Sequence, residues 1–254
     1  MMTTKDALFT YLLRQADLNL ILGHRVSEWC GHGPVLEQDI ALINTALDIL
    51  GQAKSLFNYA AEYQGEGKTE DDLAYIRVER EYLNPLICEL PNGHFGDTIA
   101  RQFFIDAFQY LYYQELKSSK NEFLSAFAEK SLKEVTYHLR FSSEWLTRLG
   151  DGTAESHEKM QESVDDIWEF TGELFETDEV EKTLIEEGII VDSSKFKDEW
   201  LELVQSILTK ATLTMPDKDA WMITGGRTGK HTEHLGFILS DLQYLQRAYP
   251  NASW

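Results

Sequence analysis

Apolar residues recur along most of this chain at intervals of three, four and seven positions, the spacing that places them on one face of an α-helix. Two long segments near the start show this period most clearly, over residues 5–29 and 35–63. In the second segment the pattern predicts a buried stripe made of Ile40, Ile43, Leu47, Leu50, Leu56 and Phe57. Further helices are predicted over residues 70–83, 96–117, 120–149, 154–175, 178–187, 193–212 and 230–248. No convincing pair of strands occurs in the sequence, so we predict an all-α protein.

The long helices fall into two hairpins, residues 5–63 and 96–149, which are joined by a crossover segment. Two hairpins joined in this way are the arrangement of a ferritin-like four-helix bundle. We therefore predict a single ferritin-like helical domain over residues 1–254. Its core bundle is expected at about 5–149, and additional C-terminal helices are expected as an extension at about 150–254.

The chain is strongly acidic, with 43 acidic residues against 23 basic ones and a formal net charge of −20. Such a chain repels nucleic acid and anionic membrane surfaces, so neither is predicted as a partner. The first residues contain no continuous apolar core of a signal peptide, and no apolar stretch is long enough to span a membrane. Cys30 and Cys88 show no metal-ligand spacing. These features predict a cytoplasmic protein.

Ferritin-like bundles that bind two iron ions have a recognisable ligand pattern. Each hairpin supplies one glutamate from its first helix and a Glu-x-x-His from its second, because residues i and i+3 lie on one helix face. In the second hairpin, Asp106 and Glu134 stand at suitable carboxylate positions. The residue three positions after Glu134 is Tyr137, however, and His138 follows one position late. One imidazole ligand is therefore missing from its place.

The first hairpin departs further from this pattern. Asp48 stands at the carboxylate position, but the residue three positions later is Gly51, which has no side chain. At the matching offset of the first helix there is Leu20, and the nearest acid is Asp17. The sequence therefore predicts that this chain holds no di-iron centre.

Three interpretations of these positions are open. The residues form a hydrogen-bonded cluster left over from a metal site, because buried acids need such partners. Alternatively they still bind a metal weakly, with His138 out of register, or some of them face solvent. The members of the candidate cluster are Asp48, Gly51, Asp106, Glu134, Tyr137 and His138.

A glycine-rich basic loop at residues 224–235 is the second candidate site. It fails the P-loop pattern, because His231 follows its Gly-Lys pair where serine or threonine is required. One interpretation is an ordinary loop between helices. The other is contact with a partner protein or a CoA phosphate through Arg227, Lys230 and His231, since basic side chains at a helix start suit an anion. His231 and His234 lack the HExxH spacing and are predicted to be helix-cap or surface histidines.

Five segments carry a similarity to a known family. They are SEWCGHGPVLEQDIALINTALDILGQAK at 27–54, TGGRTGKHTEHLGFILSDLQYLQRAYP at 224–250, and residues 91–108, 134–153 and 184–192. In these segments, which extend over nearly the whole chain, the sequence resembles PaaC, the family of structural, non-metal subunits of bacterial phenylacetyl-CoA epoxidases.

The resemblance implies a ferritin-like structural subunit that has no metal centre or other cofactor and no catalytic residue of its own. The implied partner is the homologous catalytic A subunit, which holds a di-iron centre and binds phenylacetyl-CoA. The complex is expected to epoxidise the aromatic ring with dioxygen and electrons derived from NADPH, in aerobic phenylacetate catabolism. The expected role of this chain is to stabilise the A subunit, and homodimer formation by the isolated chain is left open.

Two alternatives of other classes are also open. One is an autonomous ferritin-like metal-binding oxidase with a degenerate site built on Asp48, Asp106, Glu134 and His138. The other is a binding or storage bundle that has no oxygenase partner. Iron analysis tests the first alternative, and association with a catalytic subunit tests the second.

Overall fold

The computed structural model describes residues 2–250 and 252, and within them every regular element is a helix. The nine α-helices of this described part are α1 Thr4–Ser27, α2 Leu36–Gln64, α3 Glu70–Tyr75, α4 Phe95–Leu116, α5 Glu122–Gly150, α6 Ala154–Trp168, α7 Glu179–Glu186, α8 Lys197–Lys210 and α9 Glu233–Ala248. Short 3₁₀ turns occur at Glu79–Glu81, Leu86–Glu89, Gly172–Phe175, Ser193–Phe196 and Gly226–Thr228. The predicted all-α class is confirmed.

Local capping signals set the ends of the long helices. The Thr3 side chain accepts a hydrogen bond from the amide of Asp6 at the start of α1, and Asn121 does the same for Leu124 at the start of α5. At the other end of α2, Gly65 has a φ of 72°, the left-handed conformation that commonly ends a helix. The four long helices begin and end within about two residues of their predicted limits.

Two predicted helices are shorter than the sequence indicated. The segment predicted at 70–83 is helical only over Glu70–Tyr75, and the backbone is extended at Val78. The segment predicted at 154–175 ends at Trp168. There the hydroxyl of Thr171 donates to the carbonyl of Trp168 at 2.8 Å, a side-chain bond that competes with continuation of the helix.

The chain divides into two compact units, and the first contains the residues up to Pro91 together with those described from Thr224 onward. Its centre is the hairpin of α1 and α2. Helix α3 packs against α2, and α9 packs against α3 and the 3₁₀ turns at Glu79–Glu81 and Leu86–Glu89. The two long helices approach closely at Gly23, where an added Cβ would lie 2.8 Å from Leu50 Cγ. Most residues of α1 are buried, including the charged Arg14 and Asp17.

The second unit, Asn92–Ile223, is built on the hairpin of α4 and α5, with α6 and α8 packed onto it. Its core is aromatic around Trp200, which is 1% exposed and stacks on Trp168 at 5.6 Å between ring centroids. Phe104 and Phe175 also contact the Trp200 ring. The indole N–H of Trp200 donates to the Phe104 carbonyl at 3.2 Å, so burial leaves this polar group satisfied.

Both hairpins that a ferritin-like arrangement requires are present, one in each unit. The segment after residue 150 is divided between them, with α6–α8 in the second unit and α9 in the first. The single domain over 1–254 stays a prediction. Within the described residues, no helix combines the length and the hydrophobicity that a transmembrane span requires.

The buried stripe predicted for α2 is confirmed at Leu56 and Phe57, whereas Ile43 and Leu50 are only half-buried. At two further positions the prediction is wrong. Ile40 is 50% exposed and Leu47 is 62% exposed. The residues of α2 that bury fully are Leu42, Thr45, Ala46, Ile49, Gln52, Ala53, Leu56, Phe57, Ala60 and Ala61. Apolar residues occupy two faces of this helix, and periodicity alone does not tell which face meets the core.

Candidate functional site

Asp106 is a fully buried acid at the centre of the second hairpin. Its carboxylate oxygens accept hydrogen bonds from Gln102 Nε2 at 2.7 Å and from Ser142 Oγ at 2.8 Å. Burial raises the pKa of Asp106 to about 7, although these two hydrogen bonds act in the opposite direction. Near neutral pH this carboxyl group is therefore present in both its protonated and its ionised form.

His138 lies one turn before Ser142 on α5 and is 1% exposed. The hydroxyl of Ser142 is 3.0 Å from the carbonyl oxygen of His138, as well as 2.8 Å from Asp106. A hydroxyl has a single hydrogen, so these two acceptors share one donor. Ser142, which the sequence did not indicate, therefore links the Asp106 carboxylate to the backbone of α5 at His138, and this contact does not involve the His138 imidazole.

Glu134 and Tyr137 of α5 differ in their exposure, because the side chain of Glu134 is only 20% exposed whereas Tyr137 is exposed. The carboxylate of Glu134 is 3.8 Å from Lys130 Nζ, in an ion pair within the helix. Tyr137 is 43% exposed, and the guanidinium carbon of Arg140 lies 5.6 Å from its ring centroid. The solvent-facing interpretation therefore holds for Tyr137 but not for Glu134, whose side chain is largely covered.

The candidate residues of the first unit lie on α2. Asp48 is half-buried, and Gly51 is exposed. A Cβ added at Gly51 would meet no heavy atom within 4 Å. Packing within the described chain therefore does not require a glycine at this position.

The residues that the structure describes do not fit a carboxylate-bridged di-iron centre. Such a centre needs several carboxylates and an imidazole for each ion. Across residues 2–250 and 252, no group of three or more His, Cys, Asp or Glu side chains is placed to hold a metal ion. Asp106 is instead hydrogen-bonded to two neutral groups. The absence of a cofactor stays a prediction for iron analysis.

A buried ion pair on α1 was not indicated by the sequence. Asp17 has no exposed surface, and both its oxygens accept hydrogen bonds from the guanidinium of Arg77, one of them at 3.0 Å from Nη1. The amide of Leu83 donates to the same carboxylate at 2.8 Å. Burial raises the pKa of Asp17, and the charge of Arg77 opposes that rise. An acidic residue within an otherwise apolar helix indicated in the sequence that a partner was needed. The sequence did not identify that partner, because Arg77 lies 60 residues away from Asp17.

A second buried network surrounds Glu89. Its Oε1 lies 2.6 Å from His231 Nδ1 and 2.9 Å from Asn84 Nδ2. Its Oε2 accepts hydrogen bonds from the amide and the hydroxyl of Thr232, the residue that caps α9. The other ring nitrogen of His231 lies 2.9 Å from the carbonyl oxygen of Tyr82. This network attaches the start of α9 to the crossover segment.

These contacts contradict two predictions for His231. Its side chain is completely buried, so it is neither a surface histidine nor available to a CoA phosphate. Both ring nitrogens already have acceptors, which leaves none for an anion. The residue acts instead as a structural link between distant parts of the first unit.

The glycines of the 224–235 loop serve close packing. An added Cβ at Gly226 would lie 2.3 Å from the carbonyl oxygen of Asn84, and one at Gly229 would lie 2.3 Å from that of Arg80. Gly229 also has a φ of 77°, which favours glycine. Lys230 is exposed and Arg227 is half-buried, and their contact with a partner or a CoA phosphate stays a prediction.

We expect the stabilising contribution of His231 to decrease as pH rises. Burial acts to lower the pKa of His231, but the hydrogen bond and charge of Glu89 raise it overall. Only the imidazolium has two N–H groups for its two acceptors, Glu89 and the Tyr82 carbonyl. Because the folded-state pKa is raised, this stability is fully present below about pH 6.5 and is lost as pH rises through the folded-state pKa.

The measurement is chemical denaturation of His231→Gln and the wild type at several pH values. The substitution should lower the free energy of unfolding by about 1–3 kcal/mol at pH 6, and by less at pH 9. His32→Gln, at an exposed position, is the control and should show no such pH profile. An equal loss for His231→Gln at both pH values would show that folding does not raise the pKa of His231.

Comparison with known proteins identifies the family of the chain. The family model described as "Phenylacetic acid catabolic protein" matches residues 1–254. The chain is also 49% identical over 249 residues to the C subunit of the 1,2-phenylacetyl-CoA epoxidase of Escherichia coli (strain K12). That alignment covers 98% of this chain and 100% of the relative. The chain therefore belongs to the phenylacetic acid catabolic protein family.

Proposed function

We propose that this chain is the non-catalytic structural subunit of a phenylacetyl-CoA epoxidase. In this proposal its partner is the homologous catalytic A subunit, which holds the di-iron centre and binds phenylacetyl-CoA. The assembly epoxidises the aromatic ring with dioxygen and NADPH-derived electrons, in the cytoplasm and in aerobic phenylacetate catabolism.

The observation that carries the proposal is the similarity to the C subunit of an epoxidase. The alignment covers 100% of the length of that relative. The ligand positions support the non-catalytic role. Gly51 has no side chain that could bind a metal, and Tyr137 is 43% exposed. Asp106 is hydrogen-bonded to Gln102 and Ser142, an arrangement that satisfies a buried acid without a metal.

The physical role that fits these features is mechanical support. A di-iron bundle that admits a large CoA thioester needs its ligand helices held in place, because small displacements at a reacting centre cost much activity. This chain offers two long helical hairpins with buried ion pairs and an aromatic core. Packed beside the catalytic subunit, such an element would limit movement of the ligand helices.

The test is expression with and without the A subunit, followed by iron analysis and epoxidation assays. We expect the chain alone to contain no stoichiometric iron, the two chains to co-purify, and ring epoxidation to require both. Iron bound stoichiometrically to the chain alone would favour the autonomous oxidase. An A subunit that is fully active by itself and does not co-purify would overturn the proposal.

A further inference from the structure

Helix α2 carries an apolar face that the described chain leaves exposed. Leu36 is 70% exposed, Ile40 50% and Leu47 62%. With Gly51, these residues lie within about 60° of the helix circumference and extend over about 22 Å. These four residues form the α2 seam. The buried face of α2, which contains Leu42 and Ile49, lies on nearly the opposite side.

This combination is unusual for a surface helix. A helix of a globular protein is expected to have one apolar stripe and a polar face opposite it, whereas α2 has apolar residues on both sides. The seam residues follow the spacing of four and seven that a second helix requires for packing. An exposed row of large aliphatic side chains in a chain of net charge −20 indicates a contact surface.

Gly51 gives the seam a specific shape. No heavy atom lies within 4 Å of the Cβ position at Gly51, so packing inside the described chain does not require a glycine there. In the interior of a 29-residue helix, glycine is less favourable than alanine. A glycine between two turns of a seam allows another helix backbone to approach closely.

The charges beside the seam indicate what approaches it. Along the length of the seam the acidic residues of α2 are Glu37, Asp39 and Asp48, and Lys54, one turn beyond Gly51, is the single basic residue of the helix. A second copy would bring the same acids, and two copies paired about a two-fold axis near Leu47 would place Asp48 beside Asp48. A different chain with basic residues beside its apolar positions has the complementary charge.

We propose that the α2 seam is the docking surface for a helix of the catalytic A subunit, one with apolar residues at matching spacing and lysine or arginine beside them. This inference rests on the proposed function and names the surface that function would use. Leu47 lies at its centre, and Gly51 sets the distance of closest approach.

Leu47→Glu and Gly51→Leu test the seam by titration against the A subunit. Both variants should raise the dissociation constant at least about tenfold, as expected for central contact residues. Phe237→Glu is the matched control, because Phe237 is 69% exposed on α9 outside the seam, and it should bind like the wild type. Circular dichroism and thermal unfolding of the isolated chains establish that each variant folds.

Gly51→Ala is expected to have opposite effects on the stability of the isolated chain and on its binding to the A subunit. In the isolated chain it should raise Tm by about 2–4 °C, because it strengthens the helix and meets no neighbour. In the complex it should weaken binding, because the added methyl group occupies the space of the approaching helix. A structural role alone would not produce these opposite signs.

Each remaining outcome decides a separate point. Wild-type binding by Leu47→Glu and Gly51→Leu would overturn the seam assignment and leave the proposed function standing. Failure of the wild-type chain to bind the A subunit would overturn the proposed function itself. If the wild-type chain self-associates and Leu47→Glu abolishes this self-association, the seam binds a second copy of this chain and not the A subunit.

Discussion

Replacing Arg77 with leucine is expected to lower the free energy of unfolding by about 3–5 kcal/mol, the largest effect expected in this protein. The substitution leaves the carboxylate of Asp17 fully buried without its opposite charge. It also removes the donor to the Glu81 carbonyl, at 2.6 Å, and the guanidinium that lies 4.3 Å from the ring centroid of Tyr82. Equilibrium denaturation by urea at pH 7 measures the change.

The matched control is Arg140→Leu, the same substitution at a position whose side chain is 70% exposed. Arg140 is 4.0 Å from Glu144, and loss of this surface pair should change stability by less than about 1 kcal/mol. The double variant Asp17→Asn/Arg77→Leu should be more stable than Arg77→Leu alone, because it removes the unpaired charge. A double variant no more stable than the single one would show that lost packing, and not the buried charge, dominates.

Asp106→Asn is expected to stabilise the protein at high pH, and its effect should grow by about 3 kcal/mol between pH 5 and pH 8. The pKa of Asp106 is about 7 in the folded protein, against a reference value of 3.8. At a pH well below this reference value, the group is protonated in both states. As pH rises towards 7, the unfolded chain ionises first, so the wild type loses stability, and above pH 7 the loss is complete.

Asparagine keeps the surrounding hydrogen bonds at this position without a charge. Its carbonyl oxygen can accept from Gln102, and its amide nitrogen can donate to Ser142 Oγ, which then donates to the carbonyl of His138. Denaturation of the wild type and the variant at pH 5 and pH 8 measures the difference. Asp198→Asn, at an exposed position of α8, is the control and should have the same effect at both pH values.

The outcome for Asp106 also bears on the metal question. If Asp106→Asn has the same effect at both pH values, the carboxyl group is ionised throughout in the folded protein. An ionised carboxylate is the form that binds a cation, so that result would favour the degenerate metal site. A pH-dependent effect would favour a buried acid held by neutral hydrogen bonds.

The two hairpins and the missing ligands could be predicted from the sequence because their signals are local. The apolar spacing and the caps at Thr3 and Asn121 lie within a few residues of the helix boundaries they set. The ligand pattern Glu-x-x-His is equally local, so Gly51 and Tyr137 could be recognised at once. The prediction went wrong where a side chain ended a helix early, as Thr171 does after Trp168.

The sequence by itself determined the helical class, the limits of the long helices, the acidic charge and the family. Only the tertiary structure decided the partner of each buried polar group, and it paired Asp17 with Arg77 and Glu89 with His231. It also decided which apolar face of α2 is buried and left Leu47 exposed. The physical reason is the separation along the sequence of the residues that interact. Helix formation depends on neighbours within a turn or two, whereas these buried ion pairs connect residues that are 60 and 142 positions apart.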